Sequence, residues 1–218
     1  MRGDEFVSQL HQEIEERLEH LGRLSGAGEA PVDLTIERLL MVALKNELEA
    51  TEVAAIWMTD TQELDVKLSL ARQVGDEAKH YRAVCDRLKE LGNDADLIDP
   101  RQNGYSPLFH YLIGLKGTIQ RIAAGQFARE GVALVRNQCF IEYCESLGDI
   151  QTAALYRDVI QPDERHHHEL GRKLLARYAE DPLAQSEARQ AASRTIELAE
   201  EIQEMARLKA GVSRAPGC

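Results

Sequence analysis

The chain has 218 residues and carries 26 Lys and Arg against 37 Asp and Glu, a formal net charge of −11. That is enough chain for one sizeable core, and the acidic balance argues against nucleic acid or an anionic membrane as partners. No apolar run approaches the roughly 20 residues needed to cross a bilayer, and the first residues, MRGDEFVSQLHQEIEER, lack the basic-then-apolar pattern of a secretion signal.

Six prolines and an abundance of Ala, Leu, Glu, Arg and Gln predict an all-α fold. Residues 4–24 read as an amphipathic helix, with Phe6, Val7, Leu10, Ile14, Leu18 and Leu21 on one side. SGAGEAP, 25–31, ends it. A second helix, about 34–58, has the stripe Ile36, Leu40, Ala43, Glu47, Ala50, Ala54 and Trp57. A third, about 61–91, has Leu64, Leu68, Ala71, Val74, Ala78, Tyr81, Cys85 and Leu88 in register and stops at Leu91-Gly92-Asn93. Residues 93–107 are rich in turn formers and read as a crossover. A long helix follows over 108–147, with Leu112, Leu115, Ile119, Ile122, Glu130, Ala133, Ile141 and Cys144 in its stripe. Beyond the turn at Leu147-Gly148-Asp149, a fifth helix spans 149–180 with Ile150, Ala153, Ile160, Glu164, His167, Leu174 and Tyr178. Pro162 is expected to kink or restart it. A polar helix, about 183–210, and a short tail close the chain. The division expected is an N-terminal helix (1–30), a central antiparallel four-helix bundle of two hairpins joined by the crossover (31–182), and a C-terminal helix and tail (183–218).

The two hairpins repeat a chemical pattern. Hairpin one has Glu47 and, thirty residues on, Glu77 within Asp76-Glu77-Ala78-Lys79-His80. Hairpin two has Glu130 and, thirty-four residues on, Glu164 within Asp163-Glu164-Arg165-His166-His167. Antiparallel helices place residues equidistant from their turn at one level. Glu47 and Glu77 centre on residue 62, and Glu130 and Glu164 on residue 147, both of them turns. Within each DExxH the Glu and His share a helix face. Docking the hairpins would gather four carboxylates and two imidazoles. Carboxylates on an apolar stripe would each cost several kcal/mol if unpaired, and two divalent cations would compensate them. Mixed carboxylate–imidazole donors suit iron or manganese better than structural zinc. Asp76 and Asp163 are natural acceptors for the ring N–H of a ligating histidine.

On these residues the sequence resembles the ferritin-like di-iron carboxylate superfamily of ferritins, bacterioferritins, rubrerythrins and di-iron oxygenases, over roughly residues 34–180. Lys45-Asn46-Glu47-Leu48-Glu49-Ala50 is similar to the first-helix ligand motif of bacterioferritin-like chains, and Glu77-x-x-His80 and Glu164-x-x-His167 match the paired ExxH motifs. The resemblance implies Glu47 and His80 as terminal ligands of one metal, Glu130 and His167 of the other, and Glu77 and Glu164 as bridges. It implies two iron ions, with manganese as the other option. Ala78 stands where bacterioferritin places a haem-ligating methionine, so no haem is expected.

The activity so implied is activation of O₂ or peroxide on a small-molecule substrate by a cytoplasmic, homodimeric oxidoreductase of the hydroxylase or oxygenase type, with an electron-donor protein as partner. The alternatives are a ferroxidase or iron-handling protein, a rubrerythrin-like peroxidase, and a non-catalytic helical interaction protein that retains the site. Among the remaining polar residues, His166 and His168 read as solvated or capping. Glu142, Glu145 and Asp149 read as wet acids, and Gln126 and Asn137 as core hydrogen-bonding groups. Tyr81 reads as aromatic packing, and Cys139 and Cys144 as core filling. The four cysteines form no CxxC, zinc or disulfide spacing and read as reduced thiols.

Overall fold

A computed structural model describes residues 1–26, 34–211 and 214–217. These residues are all-helical and contain no strand. Helix α1, Gly3–Gly26, presents all six of its predicted apolar residues to the core. The predicted SGAGEAP break falls largely on residues outside those described.

Helix α2, Ile36–Asp60, begins where the Thr35 side chain accepts a hydrogen bond from the Arg38 backbone at 3.3 Å. Its whole predicted stripe, Glu47 included, is buried. Helix α3, Leu64–Glu90, packs along α2 and stops at Gly92, whose φ of 86° suits glycine.

Which face of α3 points inward differs from the sequence expectation. Leu64 and Leu68 are 68% and 61% exposed, and the buried face is Val66, Ser69, Leu70, Gln73, Glu77, His80, Val84, Arg87 and Leu88. The helix is rotated away from its most apolar stripe so that Gln73, Glu77 and His80 face the interior. Burying three polar groups in place of two leucines requires partners for them there.

The expected crossover contains a short 3₁₀ turn, Ala95–Leu97, and ends at Ser106, which caps α4, Pro107–Gly114. The predicted continuous helix over 108–147 is interrupted. Helix α4 stops at Leu115, and α5, Thr118–Ile122, runs into a π-helical segment, Ala123–Arg129, and then α6, Glu130–Ser146. The Trp57 indole donates to the Leu112 carbonyl at 3.1 Å and so fixes the α4 end against α2.

The predicted fifth helix is also composite. Asp149 caps α7, Ile150–Leu155, a π segment covers Tyr156–Ile160, and α8, Gln161–Tyr178, follows. Ile150 is exposed. Pro162 lies two residues past the π segment in a helical run that is continuous from Ile150 to Tyr178, so its missing N–H falls where the hydrogen-bond register passes from π to α.

Asp181 caps α9, Pro182–Ala210, which packs on the first π segment and on α1. Residues 214–217 fold back onto the interior. The Asn46 amide donates to the Pro216 carbonyl at 2.9 Å, and the Gly217 N–H donates to Asn137 Oδ1 at 2.8 Å.

The apolar interior has two parts. One, around Phe6, Leu10, Trp57, Ile122 and Phe127, joins α1, α2, α4, α5 and α9. The other, around Leu40, Leu44, Val84, Phe140, Tyr156 and Ile160, joins α2, α3, α6 and the second π segment. The candidate ligands lie buried among these elements. No described helix is long and apolar enough to cross a membrane.

Candidate metal centre

The structure brings all six predicted ligand residues together, each at most 3% exposed. Their donor atoms form two overlapping groups, Glu47–Glu77–His80–Glu164 and Glu77–Glu130–Glu164–His167, with the atoms of each group within 4.8 Å of one another. That span is close to what one ion needs, since opposite ligands about 2.1 Å from a metal stand about 4.2 Å apart. Glu77 and Glu164 belong to both groups.

Both shared carboxylates divide their oxygens between the histidines. Glu77 places Oε2 3.3 Å from His80 Nδ1 and Oε1 3.6 Å from His167 Nδ1. Glu164 places Oε1 3.7 Å from His80 Nδ1 and Oε2 3.9 Å from His167 Nδ1. Glu47 lies 3.6 Å from His80 Nδ1.

The outer ring nitrogens are held crosswise. His80 Nε2 is 3.1 Å from Asp163, on the other hairpin, and His167 Nε2 is 3.1 Å from Asp76. Lys79 pairs with Asp163 and Arg72 with Asp76, which holds both carboxylates in place. With Nε2–H donated to an aspartate, each ring turns Nδ1 toward the glutamates, where a cation can take the place of a proton.

Those inner atoms are the test of fit. His80 Nδ1, His167 Nδ1 and Glu164 Oε2 are buried without a hydrogen-bond partner. Buried polar atoms rarely stay unsatisfied, and these converge where a cation would bond to them. Electrostatics agree. Burial raises the Glu47 carboxyl to about 7 against the opposing pull of His80. Burial and the neighbouring Glu130 and Glu77 hold Glu164 well above its usual range. Burial alone would lower His80, but Glu47 and Glu77 outweigh it and carry the ring to about 11. Glu77 goes the other way: burial raises it, but His80, His167 and Arg129 outweigh that and hold its carboxyl at about 2. The residues fit the binding of a metal ion.

Two nearby side chains carry no motif in the sequence. Gln73, one turn before Glu77, donates to Glu130 Oε1 at 2.7 Å and lies 3.4 Å from Glu77 Oε1. Arg129 reaches Glu130 Oε1 at 3.4 Å and the Asn46 carbonyl at 3.3 Å. Spacing could have indicated Gln73, four residues from a ligand on the same face. The buried guanidinium of Arg129 has no such signal.

The π segments end at or near the two glutamates of hairpin two: Ala123–Arg129 directly before Glu130, and Tyr156–Ile160 four residues before Glu164. A π turn inserts an extra residue and re-aims the side chains beyond it, and such turns concentrate at functional sites. The first is locked from outside. His168 is buried, stacks on Phe127 with ring centroids 5.2 Å apart, and donates from Nδ1 to the Phe127 carbonyl at 2.8 Å. This corrects the expectation of a solvated His168, whereas His166 is half-buried.

Asp149 is likewise not a merely wet acid. It accepts from Arg87 at 2.8 Å and from the Thr152 hydroxyl at 2.6 Å, while Glu142 and Glu145 are exposed. Gln126 donates to Ser69, and Asn137 serves the tail. Tyr81 is half-buried against the Leu40–Tyr156 cluster. Cys144 is fully buried, and Cys139 and Cys85 are half-buried. Compared with the models of known families and with curated proteins, the chain gives no match to either.

Proposed function

We propose that this chain is a di-iron carboxylate protein of the ferritin-like type, with manganese the alternative metal. In this reading α2, α3, the helix through residues 118–146 and α8 form the four-helix bundle. Glu47 and His80 would hold one ion and Glu130 and His167 the other, with Glu77 and Glu164 shared between them. The observation that carries the reading is the division of the Glu77 and Glu164 oxygens between two unsatisfied histidine nitrogens. A mononuclear site would have no use for that arrangement.

Two iron ions bound there would supply electrons to O₂ or peroxide, the hard part of an oxidoreductase reaction. The chain's own residues do the rest. Asp163 and Asp76 fix the histidine tautomers, Lys79 and Arg72 steady those aspartates, and the apolar walls of Leu44, Val84, Phe140 and Ile160 keep bulk water away. A small-molecule hydroxylase or oxygenase fed by an electron-donor protein is the activity we favour over iron handling, peroxide removal or a purely structural metal.

The test is metal analysis of protein purified without added metal, followed by the optical spectrum after ferrous iron and oxygen. We expect about two metal ions per chain, oxygen consumption and a rise in near-ultraviolet absorbance. One tightly held zinc ion per chain, inert to oxygen, would overturn the reading.

A further inference from the structure

Residues 214–217, Arg214-Ala215-Pro216-Gly217, lie in a cleft between α2 and α6. The Arg214 guanidinium sits over the Tyr143 ring, 4.8 Å from its centroid, and Ala215 packs against the apolar cluster of Leu40, Phe140 and Tyr156. Pro216 and Gly217 are buried. Two asparagines read the peptide unit between them. Asn46 donates to its carbonyl at 2.9 Å, and Asn137 Oδ1 accepts from its N–H at 2.8 Å. Beyond Arg214, the cleft therefore recognises main-chain amides and small apolar groups.

The fit is incomplete at one atom. Asn137 is fully buried, yet its Nδ2 has no hydrogen-bond partner. A residue in extended conformation presents its own N–H and C=O on one side and can engage both groups of such an amide. Gly217 is not extended: its φ is 74°, a value suited to glycine, and the second bond is not made. Buried donors are rarely left so, because the loss of solvation is not repaid. The cleft also adjoins the centre. Asn46 directly precedes Glu47, and its carbonyl accepts from Arg129, which also reaches Glu130 Oε1.

We propose that this cleft is a binding site for a peptide-like ligand, two successive amides joined by small apolar groups in extended conformation, and that residues 214–217 are an internal occupant which the ligand displaces. The internal segment has the advantage of its tether. The incoming ligand has the further bond to Asn137 Nδ2. Occupancy then follows ligand concentration, so the cleft stays closed until a molecule of the right chemistry is present. That this molecule is what the centre acts on rests on the di-iron reading; the cleft itself does not.

The experiment is calorimetric titration of the full chain with acetyl-Ala-Pro-Ala-amide, whose last residue favours the extended backbone that Gly217 lacks. In Gly217→Val a side chain meets a positive φ and its Cβ stands 3.3 Å from Asn46 Cβ, so the internal segment should leave while the helices are kept. Hydrogen exchange of the 214–217 segment, read by mass spectrometry, should then quicken, and the peptide should bind about tenfold tighter than to wild type. Adding Asn46→Ala, at a half-buried position, should weaken the peptide again by about tenfold. In the wild-type protein, added peptide should speed exchange of the same segment in a saturable way. Equal affinity in wild type and Gly217→Val, no binding to Gly217→Val, exchange unchanged in that variant, or binding indifferent to Asn46→Ala would each overturn the proposal. None of these readouts uses the metal. Failure of the peptide would leave the di-iron reading untouched, and failure of that reading would leave a peptide cleft without a reaction beside it.

Discussion

His80 and His167 differ from ordinary buried histidines in having one ring nitrogen tied to an aspartate and the other facing only carboxylates. Because the ties are crosswise, the residue whose loss damages each imidazole lies on the opposite hairpin. Asp163→Asn should weaken cation binding at Glu47 and His80, and Asp76→Asn that at Glu130 and His167, each by about 10- to 100-fold. Titrations in Glu130→Gln and Glu47→Gln backgrounds separate the two positions, and the opposite assignment would refute the crossing. Cys144, fully buried with its thiol pushed up to about 12 chiefly by burial, should resist alkylation at pH 8 until the protein unfolds. Mass spectrometry of native and denatured samples reads this directly. At this scale the six acidic and imidazole residues can be picked out from spacing, because a glutamate among Ala, Leu and Trp on one face stands out. Gln73 and Arg129 cannot, since polar residues are common on helices and only their neighbours in space show what they touch. His168 reads wrongly from sequence for the same reason: its partner Phe127 is forty-one residues away.

At the scale of elements, the π segments and the approach of α8 to the first of them set the level of Glu130. A Cβ at Gly171 would lie 2.6 Å from the Gln126 backbone, which cannot yield as a side chain can. Gly171→Ala should therefore destabilise the protein by roughly 1–3 kcal/mol, the range for overpacking, measured by urea unfolding. The α7 start offers a second test. Asp149 is kept below its usual carboxylate range: burial raises it, but the Thr152 hydroxyl and backbone N–H and the Arg87 guanidinium outweigh that. A depressed native value means that the contribution to stability is present above pH 3.8 and is lost as pH falls through the native value. Asp149→Ala should cost about 1 kcal/mol at pH 7 and flatten the acid limb of the stability profile below pH 4. The helical segments are legible in the sequence because apolar periodicity and caps agree, as at Thr35, Ser106 and Asp181. The break at 115–117 lies between Gly114 and Gly117 and is open to a reading from them, whereas the two π turns are not, because apolar periodicity does not mark a single inserted residue. The inward face of α3 escapes a sequence reading because hydropathy favours Leu64 and Leu68 over Gln73 and His80. Charge compensation in the interior, invisible to a hydropathy count, decides the rotation.

For the whole molecule, buried unsatisfied polar atoms mean that cation binding and folding are linked. Chelation should lower the melting temperature, and free metal at 100 times its dissociation constant should add about 2.7 kcal/mol. An unchanged transition with and without ferrous iron under anaerobic conditions would show that the cluster is satisfied by protons alone.

The exchanged aspartates have one more implication. Sliding one hairpin past the other by a single residue, about 1.5 Å along the axis, would pull Asp163 from His80 and Asp76 from His167 together. Alignment of the two halves is therefore all-or-none at the centre. A cation seated there acts as a pin through the interior, and its retention gauges whether the halves are in register.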